Sequence, residues 1–199
     1  MSKLITTPKG KAVYPRIDNP DTKFNEDGVY TCKLHVSEAD YNAFKESYDA
    51  MFERAYKKEC EEKGKTLRKA ASSPVRVTDD GDYEIYAKQV AKRNTSKGLI
   101  EFSVAVYDSQ GNKMDSAPKI GSGSTLRASV EPSFWFVSSQ GFGCTLRLRA
   151  VQVIDLVEYG GGNNSESFGF DGVEGGFVAE TTDEPIPVTA GDSEDAYDF

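Results

Sequence analysis

Positive charge stops partway along this chain. From Tyr159 to Phe199 there is no Lys or Arg, yet there are 10 carboxylates: Glu166, Asp171, Glu174, Glu180, Asp183, Glu184, Asp192, Glu194, Asp195 and Asp198. A segment that repels itself and offers few apolar anchors cannot fund a packed core. The folding unit is therefore expected in 1–158, with a flexible acidic tail over 159–199 opened by Gly160, Gly161 and Gly162. The chain totals are 32 acidic and 24 basic residues, so the body keeps 22 and 24 and is slightly positive. The net charge of −8 would on its own argue against a polyanionic partner. The segregation removes that objection.

Hydrophobic residues make up 38% of the 199, low for a fully packed chain and in keeping with an unpacked tail. No apolar run approaches the roughly 20 residues of a membrane span. The start "MSKLITTPKG" lacks an apolar h-region, so no signal peptide is expected. Cys32, Cys60 and Cys144 form an odd, widely spaced set, as expected of reduced thiols in a cytosol-like compartment.

Periodicity organises the body. "GVYTCKLHV" alternates, with Tyr30, Cys32, Leu34 and Val36 on one face, which predicts a half-buried strand. The next stretch changes period. Ser37 is a candidate N-cap with Asp40 three residues on, and Tyr41, Phe44, Tyr48, Met51, Phe52 and Ala55 form one apolar stripe that Gly64 ends. This predicts one long helix whose stripe packs on a sheet. "DYEIYAKQV" and "LIEFSVAVYDSQGNKM" read as a hairpin joined by the basic loop "AKRNTSKG". Gly111 suits the tight turn in "DSQGNK". The last strand, "GCTLRLRAVQVIDLVEY", sets Cys144, Leu146, Leu148 and Ala150 against Thr145, Arg147 and Arg149. Several short strands and one helix predict a small β-barrel.

Chemistry-bearing residues cluster by type. Lys88, Lys92, Arg93 and Lys97 lie in and around one loop, and Arg127, Arg147 and Arg149 lie on polar strand faces. "PSFWFVSSQGFG" puts Phe134 and Phe136 on one side of an extended segment and Trp135 on the other. Cations along a track with flat rings between them suit unstacked bases on a phosphate backbone. The competing reading is core on one side and incidental rings on the other. Three consecutive aromatics cannot all point inward, so at least one needs another account. Cys32 and His35 would point to opposite faces of a strand, a poor geometry for zinc, and thiols buried as small apolar groups fit better. "GSGS" lacks the rest of a phosphate-binding motif. With a single His there is no persuasive nucleophile–base pair. The expectation is a protein that is not an enzyme, with no metal and no cofactor.

In order along the chain, Gly28-Val29-Tyr30, "VYDSQGNKM", "PKIGSGSTLR", the aromatic cluster, "LRLRAVQVIDLVEYGGG" and an acidic end in Asp-Phe resemble the single-stranded DNA-binding proteins of T7-like bacteriophages. The resemblance implies an OB-fold of five strands plus a helix that coats single-stranded DNA during replication, recombination and repair in the infected host's cytoplasm. It implies stacking by Phe134 and Phe136, with cationic contacts from Lys92, Arg93 and the N-terminal Lys3. Asp27 departs from it, standing where the family has a basic residue. It also implies a tail, carrying Asp192, Glu194, Asp195, Asp198 and Phe199, that competes with DNA, contacts DNA polymerase and helicase–primase, and supports a homodimer. An OB-like adaptor that binds proteins rather than DNA is the alternative. A metal-dependent nuclease would need a carboxylate cluster in a cleft.

Overall fold

The computed structural model describes residues 3–96 and 98–158. Lys97 and the tail calls, including Asp192, Glu194, Asp195, Asp198 and Phe199, lie outside the described residues. Four strands come first: β1 (Ile5–Thr6), β2 (Gly10–Ala12), β3 (Arg16–Asp21) and β4 (Val29–His35). The helix α1 (Glu38–Lys63) follows. Then come β5 (Val75–Val77), β6 (Tyr83–Val90), β7 (Lys92–Thr95), β8 (Gly98–Glu101) and β9 (Ala105–Tyr107). Two long strands, β10 (Thr125–Val137) and β11 (Gly141–Asp155), complete the set.

The expected mostly-β fold with one helix is present, and its strands form a ring. β2 pairs with β4, β4 with β6, β6 with β11, β11 with β10, and β10 returns to β2. All of these pairs are antiparallel except β6–β11. The circuit is a five-stranded OB-type barrel, and closing it leaves none of the five with a bare edge on both sides. β1, β3, β5 and β9 extend it by pairing with β10, β4, β6 and β11.

Alternation fills the interior. Cys32 and Leu34 from β4 meet Ile85 and Ala87 from β6, Leu126, Ala128 and Val130 from β10, and Leu146 and Leu148 from β11. Fully burying each large aliphatic side chain contributes about 1.5–3 kcal/mol. Burial pushes the Cys32 thiol up to about 12 and the Cys144 thiol up to about 11, so both stay protonated as small apolar groups near neutral pH.

Two local expectations are corrected. The segments around the basic loop do not pair with each other. β11 runs between β6 and β9, parallel to both, and the loop forms its own hairpin, β7–β8. In β11, Leu148 stands opposite Val130 and Ala150 opposite Ser129, which leaves Arg149 as the extra residue of a bulge. The inward phase therefore shifts by one. Val151 and Val153 are buried, while Ala150 is only half-buried.

The helix matches its sequence signals. Ser37 Oγ accepts from the Asp40 N–H, and Gly64 ends the helix at φ 64, a left-handed conformation that favours glycine. Its ring stripe grips the barrel end to end. Tyr41 meets Tyr83 at 5.0 Å between centroids, and Phe52 and Tyr56 meet Phe142 edge-on at 5.3 and 5.6 Å.

Candidate nucleic-acid interface

Strand register fixes which side chains share the barrel's outer face. Thr31 of β4 stands opposite Lys88 of β6, and Lys33 opposite Tyr86. Arg147 of β11 lies beside Lys88, and β3 adds Arg16 opposite Thr31. Directly paired residues share a face. Arg16, Thr31, Lys88 and Arg147 therefore form one cross-strand row. Three strand spacings of about 4.8 Å set its ends about 14 Å apart.

Two rings lie on this face. Trp135 of β10 stands opposite Gly143 of β11 and donates from Nε1 to Thr145 Oγ1 at 3.2 Å. A Cβ at Gly143 would come within 2.4 Å of the indole, so only glycine lets the ring lie this close to β11. Tyr86 is the second ring, with Lys33 Nζ 5.7 Å from its centroid. Burial raises the Tyr86 hydroxyl above its ordinary range, so near neutral pH the ring carries no charge to repel a phosphate. Trp135, Tyr86 and Lys88 line one cleft of about 150 Å³. A neighbouring cleft of about 280 Å³ shares Tyr86 and Lys88 and runs past Thr31 to Phe24. Phe24 is 89% exposed, with Lys23 Nζ 5.3 Å from its centroid. The result is a concave track with alternating rings and cations.

The cations on or near the track differ in how free they are. Arg76 is tied to the buried Glu84, with Nε and Nη2 at 2.9 and 2.6 Å from Oε1. Arg149 is held by Glu131, its Nε donating to Oε2 at 2.9 Å. Lys92 Nζ lies 3.5 Å from Glu101 in an exposed pair, which holds it only weakly. Lys33, Lys88, Arg16 and Arg93 form no ion pair among the described residues.

The residues expected from sequence are thus partly gathered and partly dispersed. Trp135, Lys88 and Arg147 share the outer face. Lys92 and Arg93 sit on the β7–β8 hairpin, whose base is tied to the start of β4 by the Ala91 N–H to Gly28 carbonyl bond at 2.8 Å. Arg127 lies eight residues from Trp135 along β10, about 27 Å away, and its Nε reaches the Thr7 carbonyl at 3.3 Å. Phe134 and Phe136, expected as the stacking pair, face the other way. Phe134 stacks on Phe142 at 6.2 Å and meets Phe52 edge-on, while Phe136 pairs in register with Phe142. Lys3 lies on that side too, in a groove with Met51, Arg54, Lys58, Pro132 and Phe134. Sequence reading missed Tyr86, Lys33, Arg16 and Phe24. The available signal was "EIYAKQV", where Tyr86 and Lys88 alternate with the apolar Ile85 and Ala87.

Comparison with known proteins supplies relatives. No family model matches the chain. A single-stranded DNA-binding protein of Escherichia phage T7 is 30% identical over 125 residues, 59% of this chain. The match spans about half of that relative's own length, 52%. The crystal structure of gp2.5, a single-stranded DNA-binding protein encoded by bacteriophage T7, superposes with a TM-score of 0.69 at 25% identity, covering 90% of this chain and all of that one. The single-stranded DNA-binding protein of bacteriophage Enc34, in complex with single-stranded DNA, shares the fold at a TM-score of 0.60 and 17% identity, over 79% of this chain and 89% of that one. This chain therefore resembles the bacteriophage single-stranded DNA-binding proteins, that of T7 in both sequence and fold and that of Enc34 in fold.

Proposed function

We propose that this protein binds single-stranded DNA without sequence preference, along the outer face of β4, β6, β11 and β10. The observation that carries the reading is the cleft shared by Trp135, Tyr86 and Lys88, where two rings and a cation with no ion-pair partner among the described residues face solvent together. Rings take unstacked bases at about 1–3 kcal/mol each, and the cations track the phosphates. The names of the T7 and Enc34 relatives support it. Coating of single strands during phage replication, recombination and repair in the host cytoplasm belongs to the same proposal.

The sequence beyond Glu158 extends it. A polyanion of 10 carboxylates ending in Phe199 presents negative charge and a terminal ring to the same basic groove that takes DNA. Tethering can raise its effective concentration into the mM range. Once displaced by DNA, it is free to recruit DNA polymerase and helicase–primase or to support a homodimer, with Phe199 as the apolar anchor. Titrating the full chain with oligo-dT over a salt series tests the reading. Log affinity should fall with a slope of about −2 to −3, near −0.7 per phosphate contacted, and duplex should bind much more weakly. Salt-independent binding, or equal affinity for duplex, would overturn it. No oligo-dT binding at all would favour the adaptor alternative. Deleting Tyr159–Phe199 should tighten binding most at low salt. Unchanged affinity there removes the competition.

A further inference from the structure

We infer that the DNA track does not end at Arg16 but continues into a second base-stacking subsite built around Tyr14. This rests on the proposed path over the outer face, which it extends. Arg16 belongs to both surfaces. It closes the row through Thr31, Lys88 and Arg147, and it also lines a separate cleft of about 480 Å³ with Tyr14, Asp18, Lys119, Ile120 and Ser122. That volume lies within the range of sites that hold a small ligand, about 300–1,000 Å³. Its floor is apolar, with Ile120 buried, and neither Arg16 nor Lys119 forms an ion pair among the described residues. Asp18 is the one carboxylate among its lining residues.

Tyr14 itself is the second observation. It is the non-glycine residue at positive φ among the described residues, at 43°. A bulky side chain there is a genuine outlier, sustained only by its surroundings. Those surroundings are visible. The Tyr14 N–H donates to Ser122 Oγ at 2.9 Å, and Pro15 follows directly, which disfavours a right-handed helical alternative. On either side, the Val13 N–H bonds the Lys33 carbonyl at 3.0 Å and the Gly123 N–H bonds the Ala12 carbonyl at 2.9 Å. All this strain yields a ring that is 75% exposed. Core packing does not use it. An exposed ring that lines a cleft with two cations, contiguous with a row of cations, has the chemistry of a stacking platform for a further base of the same strand.

Oligo-dT of about 4 and about 16 nucleotides, spanning the range of OB-fold site sizes, separates the two parts of the track. In the full chain, Tyr14→Gly and Tyr14→Ala should weaken binding of the long strand about fivefold or more and leave the short strand unchanged. Tyr14→Phe, which keeps the ring, should bind like the parent. Tyr14→Gly also relieves the backbone, so its folding stability should not fall, which separates lost stacking from lost structure. Trp135→Ala is the control and should weaken both lengths. If the Tyr14 variants bind the long strand normally while Trp135→Ala weakens it, the second subsite is wrong and the main interface stands. If Trp135→Ala and Tyr86→Ala change neither length, the outer-face path fails and takes the extension with it.

Discussion

Adjacent residues of β10 serve opposite sides of one sheet. On the helix side, Phe134 lies against Phe142 and Phe52, with Tyr56 closing the cluster from α1. Lys69 lies 5.7 Å from the Phe52 centroid and 4.8 Å from that of Tyr56, and Phe134 shares a groove with Lys3, Arg54 and Lys58. On the other side, Trp135 shares a cleft with Tyr86 and Lys88, near Lys33 and Arg147. Both groups are aromatic, and both have a cation near a ring. They differ in what the rings face. The first group packs its rings largely against one another and fastens the helix to the barrel. The second keeps its rings in an open cleft, with cations spaced along the strands as a phosphate backbone would need. Clusters of rings are therefore not equivalent evidence for binding. The neighbours that occupy the ring faces decide the role.

The sharpest way to break this comparison is to remove a ring from each side. Phe142 is 2% exposed at the centre of the helix-side cluster, so Phe142→Ala should cost about 3–5 kcal/mol in urea unfolding. A negligible loss would mean that the cluster does not hold α1. Trp135→Ala should instead cost about 1–3 kcal/mol of oligo-dT affinity with little change in the unfolding midpoint. Because Trp135 is the sole tryptophan, its emission should also respond to oligo-dT in the parent chain, and a silent signal would move the DNA elsewhere. A smaller effect comes from Lys88→Ala. It should reduce the magnitude of the salt slope by about 0.7, the value for one phosphate contact, while Lys69→Ala on the helix side leaves the slope alone. Equal changes from both would erase the distinction.

The smallest effect near neutral pH concerns the interior. The thiols of Cys32 and Cys144 are lifted from an ordinary 9.0 to about 12 and about 11. As pH rises above 9 the unfolded chain sheds these protons and the folded chain keeps them, so the unfolded state binds fewer and stability falls. Alkaline unfolding should therefore be gentler in a variant carrying both Cys32→Ala and Cys144→Ala. An unchanged pH slope would assign the loss to buried tyrosines such as Tyr48, whose hydroxyl is also raised by burial.

Much of the fold was legible because its signals are local. The Ser37 cap, the Gly64 stop and the alternation of β4 need only neighbouring residues. The false hairpin arose because β11 enters between β6 and β9, a long-range parallel insertion that no local pattern announces. The bulge at Arg149 was hidden for a related reason, since a phase slip exists only relative to the partner strand. The facing of the three consecutive rings had a usable clue in the sequence. Leu126, Ala128 and Val130 are apolar at even positions of β10, and carrying that phase through Pro132 places Phe134 inward and Trp135 outward. What sequence could not supply is the meeting of Arg16, Thr31, Lys88 and Arg147, which depends on the register of four strands.

Ring closure also has a consequence for how the chain reaches its native state. β2, near the N-terminus, pairs with β10, and β6 waits for β11 as its parallel partner. Such distant pairings raise contact order and slow folding. On the ribosome, chains emerge at about 5–20 residues per second. The side of β6 that will meet β11 therefore stays exposed until residues 141–155 have left the exit tunnel. During that interval the nascent sheet presents an unsatisfied template to any neighbouring chain. Leu99 and Ile100 of β8, both exposed even in the folded chain, add apolar surface to that intermediate, while the short β2 and the polar β7 add little.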